Sequence, residues 1–193
     1  GTLNMLEIAR KSEAKFLLAS SSEVYGDPTE HPQKENYWGS VNSIGVRSCY
    51  DEGKRFAESL TFDFARTFNL DIKIARIFNI YGPRARSDDG RVISNFISQA
   101  LRKEKFTIYG DGTQTRSFCF ITDLINGLTK LMNSQNKGPV NLGNPEEINI
   151  FDLASLINDK VGNKFELIYH PLPENDPSRR RPDITLAKNS LFW

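Results

Sequence analysis

Apolar residues recur along the 193-residue chain with two different periods. In the opening GTLNMLEIARKSEAK, Met5, Ile8 and Ala9 stand at helical spacing with no capping residue ahead of them, so the chain is expected to enter in the middle of an element. Phe16 to Ala19 is a short apolar run ending in Ser20, Ser21 and Ser22, the pattern of a buried strand that finishes in a polar loop. Pro28, Pro32, Gly39 and Gly45 punctuate a long irregular loop. The stretch SCYDEGKRFAESLTFDFARTF then reads as one helix, its apolar stripe continuing through Leu60, Phe64 and Phe68. DIKIARIF (71–78) predicts a second strand, stopped by Gly82 and Pro83. Strand, loop, helix and strand make a parallel crossover unit, which sets the fold class as α/β.

The texture changes from Asp88 onward. Val92 to Leu101 predicts a helix, Phe106 to Tyr109 a short strand, and GDGTQTRSF a turn into another strand. A helix follows over Thr122 to Met132, with Asp123 as a start signal. PVNLGN reads as strand and turn, NIFDLASLINDKV as an amphipathic helix and FELIYHP as an edge strand. The closing PENDPSRRRPDITLAKNSLFW is polar and proline-punctuated, then weakly helical.

Charge narrows the partners. The chain spreads 25 basic against 24 acidic side chains without a long run of either, which argues against a nucleic-acid stripe or a membrane-surface helix and leaves small ligands. No stretch approaches the ~20 apolar residues of a membrane span, and the first residues lack the pattern of a signal peptide. Cys49 and Cys119 have no metal-ligand spacing; each is expected as a small buried hydrophobe, and a reducing compartment fits.

The chemistry starts from Tyr50 and Lys54, four residues apart and therefore on one face of the predicted helix. A neighbouring cation favours a phenolate over a phenol of pKa ~10, so the pair suits removal of a proton from an alcohol. With six tyrosines in the chain, chance can supply this spacing, and other motifs must decide. No glycine-rich strand-to-helix turn of the GxGxxG kind occurs, so the chain is expected to carry only half of a dinucleotide site.

Those motifs are SSSEVYG (20–26), FNIYGPR (78–84) and YGDGTQTRSF (109–118), which fall where open α/β sheets bind ligands, at the carboxyl ends of strands. Together with Tyr50-x-x-x-Lys54 they resemble the extended short-chain dehydrogenase/reductase family that acts on nucleotide sugars. Further matches in the YWG-x-VN loop, CYDEGKR, DDGRVISNF and PVNLGNPEE bring the resemblance closest to the branch that decarboxylates UDP-glucuronate to UDP-xylose. The resemblance covers the whole chain and implies that it begins after the family's glycine-rich NAD-binding turn.

What the resemblance implies is specific. The fold is a Rossmann-like parallel sheet with helices on both faces plus a small α/β sugar-nucleotide subdomain. Residues 1–87 belong to the NAD-binding domain and 88–193 mostly to the substrate subdomain, with 116–145 returning to the Rossmann core. Tyr50 is the base toward the sugar 4-hydroxyl, Lys54 supports it and holds the nicotinamide ribose of NAD, and Ser21 hydrogen-bonds the reacting oxygen. Ser20 and Ile80 line the cofactor. Ser22-Glu23 separates close relatives: dehydratases carry Asp-Glu here, 4-epimerases usually lack the carboxylate, and Glu23 therefore speaks for decarboxylation through sugar distortion and protonation at C5. Arg116, Arg91 and Asn79 are implied to hold the phosphates or sugar, Tyr109 the uracil, and Arg180 the carboxylate or the C5 proton, with Arg179 as its rival. Arg84 and Arg86 are weaker candidates, and His31 and His170 are expected as surface residues. A 4-epimerase, a dehydratase and an inactive UDP-sugar-binding fragment are the alternatives. The family usually dimerises through the Tyr50 helix and the N-terminal helix, here using Phe56, Leu60, Phe64 and the stripe on residues 5–9. The absence of an Asn-x-Ser/Thr sequon favours the cytoplasm, the alternative being a Golgi-lumen form anchored upstream of residue 1.

Overall fold

The computed structural model describes residues 1–162, 166–172 and 179–193. Its first half is built from α1 (Thr2–Lys11), β1 (Phe16–Ser21), α2 (Ser48–Phe68) and β2 (Ile72–Ile77). Strands β1 and β2 pair in parallel, Phe16 opposite Ile72 and Ser21 opposite Ile77, with α2 as the crossover that parallel pairing requires. Next come β3 (Ile80–Tyr81), α3 (Val92–Arg102), β4 (Phe106–Tyr109), β5 (Thr115–Ser117), β6 (Cys119–Phe120) and α4 (Ile121–Asn133). Strand β7 (Val140–Leu142) then adds in parallel to the other edge of β2, giving the order β1-β2-β7.

Strand β2 is buried on both faces, hence its near-continuous apolar sequence. Ile72 and Ile74 pack with Leu6 and Ala9 of α1 and with Ala57, Phe64 and Ala65 of α2. Ala75 faces the opposite layer, with Leu124 and Leu131 of α4 and Val140 and Leu142 of β7. Lys73 interrupts the run yet is buried, its ammonium held by Asp71 just before the strand.

The remaining elements are β8 (Glu147–Asn149), α5 (Ile150–Val161), β9 (Leu167–His170), β10 (Arg179–Arg180) and α6 (Thr185–Leu191). Strands β4 and β9 pair in parallel, and Phe96, Phe106, Ile108, Ile150 and Leu153 form a second core between them, α3 and α5. Strand β5 lies between β10, parallel to it, and β8, antiparallel. The C-terminal helix α6 packs through Ala187 and Leu191 into the α4–β7 layer, so the Rossmann-like core takes in a segment beyond 116–145.

Several elements differ from expectation for local reasons. Helix α4 starts at Ile121 with Phe120 as an uncapped N-cap, and Asp123 acts inside the first turn, where a carboxylate favours the helix dipole. Within the polar, proline-punctuated closing segment, Arg179–Arg180 form a strand, β10. Of the segment before it, 173–178 lies outside the described residues, as does Phe165 of FELIYHP. Phe64 is in the chain's own core and is not available as a dimer contact. Cys119 is buried, as expected, whereas Cys49 is exposed at the start of α2.

Candidate active site

Strand β1 ends in two serines that face opposite ways, as the alternation of a strand requires. Ser20 is buried and donates to Glu58 Oε1 of α2 at 2.5 Å. Ser21 Oγ accepts the Glu23 amide at 3.2 Å and so caps the 3-10 turn Ser22–Tyr25. This capped turn sets Glu23 beside the start of α2.

The first turns of α2 carry Tyr50 and Lys54. Lys54 Nζ donates to the Ala19 carbonyl at 2.8 Å and lies 5.7 Å from the centre of the Tyr50 ring. Tyr50 is half-exposed and open to solvent. The helix is fixed below this point by Glu58, which receives Arg76 of β2 at 2.8 Å as well as Ser20. Arg76 also donates to Tyr25 Oη at 3.0 Å, and Tyr25 donates to Asn141 Oδ1 at 2.7 Å, so one buried polar chain links α2, β2 and β7. Burial pushes the Tyr25 phenol up to about 12, keeping it a donor at neutral pH.

Glu23 is held between two guanidinium groups. Arg180 Nη1 is 3.2 Å from Oε1, and Arg47 Nη2 is 3.3 Å from Oε2. Of the two rival arginines on β10, Arg180 points inward and is buried while Arg179 is exposed. Arg180 also donates to Ser22 Oγ at 3.1 Å and to the Gly26 carbonyl at 2.9 Å, and its own carbonyl accepts from Ser117 at 3.3 Å. Asp51 is buried nearby with Oδ1 unpartnered; burial raises its pKa, and Glu23 adds to the effect against Arg47 and Arg180.

These groups open onto one cleft of about 1530 Å³ at the carboxyl ends of β1 and β2. Ser20, Ser21, Glu23, Tyr50, Lys54, Asn79, Ile80, Arg91, Tyr109, Arg116 and Arg180 all line it, as do the weaker candidates Arg84 and Arg86, whereas Arg179 does not. They differ in what they offer. Ser20 is committed to Glu58, Ile80 contributes apolar wall, and Arg116 on β5 donates to the Thr115 carbonyl at 2.8 Å. Arg91 reaches out at the start of α3, and Tyr109 packs its ring 5.7 Å from that of His170. His31 lies 3.0 Å from Glu147 Oε2, away from this cleft. Sequence reasoning missed Arg47 and Asp51. Arg47 is three residues before Tyr50, about one helical turn, but it stands just ahead of the predicted helix and its partner Glu23 lies on another element.

The parallel sheet with its helices and the cleft at its carboxyl edge define a Rossmann-like α/β class, and comparison with known proteins agrees. Residues 1–150 match the NAD dependent epimerase/dehydratase family, and the chain belongs to it. Over all 193 residues it is 58% identical to UDP-glucuronic acid decarboxylase 4 of Arabidopsis thaliana, covering 44% of that protein, and 53% identical to UDP-glucuronic acid decarboxylase 1 of Danio rerio, covering 46%. The chain thus spans about half the length of these curated relatives. Among solved structures, the UDP-glucuronic acid 4-epimerase from Bacillus cereus in complex with UDP-glucuronic acid and NAD superposes on the whole chain with a TM-score of 0.89 at 28% identity, the chain covering 60% of it. UDP-glucose 4-epimerase from Thermotoga maritima, solved with UDP-glucose, gives 0.93 at 26% identity over the whole chain and 62% of its own.

Proposed function

We propose that this chain carries the base and the sugar-nucleotide side of an NAD-dependent UDP-glucuronate decarboxylase, which forms UDP-xylose. The observation that carries the reading is Glu23, clasped by Arg180 and facing the same cleft as Tyr50. A 4-epimerase needs no such carboxylate, and a dehydratase needs an acid that Ser22 cannot supply. The identity to decarboxylases over the full chain supports the same choice.

The residues present suit the reacting end of a dinucleotide. Among the described residues Lys54 has no carboxylate partner, and with one ammonium proton on Ala19 it keeps two donors for a ribose. The cleft exceeds the ~300–1,000 Å³ of a single small-ligand pocket, leaving room for a sugar nucleotide beside a cofactor. Tyr50, Lys54 and Ile80 would hold that end. When bound, NAD supplies hydride removal from sugar C4 and its later return.

The chain's own residues do the rest. Tyr50 Oη takes the 4-hydroxyl proton and gives it back at the end of the cycle, while the Lys54 ammonium supports the negative oxygen. Ser21 steadies the 4-oxygen. A ketone at C4 makes the C6 carboxylate a β-keto acid, which loses carbon dioxide with the ketone oxygen receiving the electron pair. Glu23 and Arg180 govern the ring's shape and the proton that arrives at C5. Arg116, Arg91 and Asn79 take the phosphates and sugar, and Tyr109 the uracil. Full-length protein incubated with UDP-glucuronate and NAD+ is expected to yield UDP-xylose by mass spectrometry. A product that keeps its carboxylate with C4 inverted would make it an epimerase.

The reading extends to a homodimer through α1 and α2. Met5, Ile8 and Phe56 are more than half exposed there, which supports a covered face. Sedimentation of the full-length protein tests this.

A further inference from the structure

The two arginines on Glu23 are not equivalent. A guanidinium has five N–H donors, four of them on the two terminal nitrogens. In Arg180 the terminal nitrogens are occupied: Nη1 by Ser22 Oγ and Glu23 Oε1, Nη2 by the Gly26 carbonyl and Glu23 Oε2 at 3.4 Å. Its Nε is buried without a partner. The side chain is only 3% exposed, so Arg180 has no donor to offer a ligand unless it releases Glu23 or the backbone.

Arg47 is the opposite case. Its side chain is 43% exposed, lines the cleft, and meets Glu23 Oε2 through Nη2 at 3.3 Å. Its backbone is locked where the chemistry begins: the Arg47 carbonyl accepts the Tyr50 amide at 3.0 Å and the Asp51 amide at 3.3 Å. Arg47 and Tyr50 therefore rise from the same helical turn. Arg180 is committed to Glu23, which leaves Arg47 as the cation on the open side of a cluster that also holds Asp51.

We propose that Arg47 is the residue that recognises the substrate's carboxylate, with Arg180 reserved for positioning Glu23. The proposal rests on the decarboxylase reading. In a glucuronate the carboxylate carbon is attached to C5, adjacent to the C4 that bears the hydroxyl meant for Tyr50. A base and a carboxylate fork one turn apart on one helix match that adjacency, and the planar guanidinium fits a carboxylate through two parallel hydrogen bonds. Glu23 and the incoming carboxylate then compete for one guanidinium. The competition loosens the grip on the group that must leave as carbon dioxide and frees Glu23 from one of its two partners.

The test is calorimetric titration of full-length wild type, Arg47→Gln and Arg47→Lys with UDP-glucuronate, UDP-xylose and UDP in the presence of NAD+, at a temperature where turnover is negligible. Arg47→Gln is expected to weaken UDP-glucuronate by roughly 10- to 100-fold, with UDP-xylose and UDP changed by less than about 2-fold. Arg47→Lys should recover part of the loss, since it keeps charge without the fork. Retained UDP binding reports that the variants fold. Equal loss for UDP-glucuronate and UDP-xylose, or no loss for either, overturns the assignment. Wild type that binds UDP-xylose but not UDP-glucuronate overturns the substrate reading itself, and Arg47's role with it.

Discussion

Glu58 lies eight residues, just over two helical turns, after Tyr50 on α2 and receives the Arg76 guanidinium of β2 at 2.8 Å, both side chains about nine-tenths buried. Because Ser20 donates to the same carboxylate, the pair fixes the helix that bears Tyr50 against the strand ends that border the cleft. Removing one member of a buried pair strands the other charge in the interior. Glu58→Ala is expected to destabilise the protein by about 3–5 kcal/mol in urea unfolding, and Arg76→Met with Glu58→Leu together by clearly less. A double variant that loses as much as the two single variants added together would show that the pair does not act as a unit.

Tyr50→Phe removes one oxygen from a half-exposed side chain, so folding is expected to be unaffected. Turnover of UDP-glucuronate should fall by roughly 10²–10⁴-fold with UDP affinity unchanged. Activity within a few-fold of wild type would remove Tyr50 from the proton-transfer role.

Gly26 closes the turn after Glu23 at φ +62, and a Cβ there would stand 1.9 Å from the Ser40 carbonyl oxygen. Its own carbonyl is one of the acceptors that hold Arg180. Gly26→Ala is therefore expected to cost at least about 2 kcal/mol in thermal unfolding and to lower activity beyond what the unfolded fraction explains. A stable variant with full activity would mean that the 25–40 loop can shift without moving Arg180.

Two buried groups set the alkaline limit. Burial pushes Tyr25 from about 10 up to about 12 and Cys119 from about 9 up to about 11. The unfolded chain releases these protons first, so their contribution is complete below pH ~9, is lost from Cys119 between about 9 and 11, and from Tyr25 between about 10 and 12. Urea midpoints measured from pH 8 to 11 are expected to fall steadily, and Cys119→Ala should flatten the part of the slope that begins near pH ~9. An unchanged slope would assign the alkaline loss elsewhere.

Much of this arrangement is legible before any coordinates. Strands β1, β2 and β4 and helices α2, α3 and α5 follow from predominantly apolar runs or helical stripes, because each buries a face that must be written in side chains. The ligand cleft follows from motifs at strand ends. What is not legible depends on partners distant in sequence. Strand β10 exists because Arg180 pairs alongside Arg116 of β5, and nothing in RRRPD announces an extended pair. Arg180 is buried because Ser22, Glu23 and Gly26 wait for it more than 150 residues earlier, while Arg179 beside it stays in water. Arg47 escapes notice because it precedes the predicted helix and its meaning depends on Glu23, on a separate element. Phe64 looks like an interface residue until β2 is laid against α2.

The central claim, that this cleft removes C6 from a glucuronyl nucleotide, is tested most directly by NMR of the full-length protein with NAD+ and UDP-glucuronate labelled with carbon-13 at C6. The label is expected to move into carbon dioxide and bicarbonate at the rate at which UDP-xylose appears, and to move roughly 10²–10⁴-fold more slowly in the Tyr50→Phe protein. Label that stays in the sugar while wild-type protein turns the substrate over would contradict it.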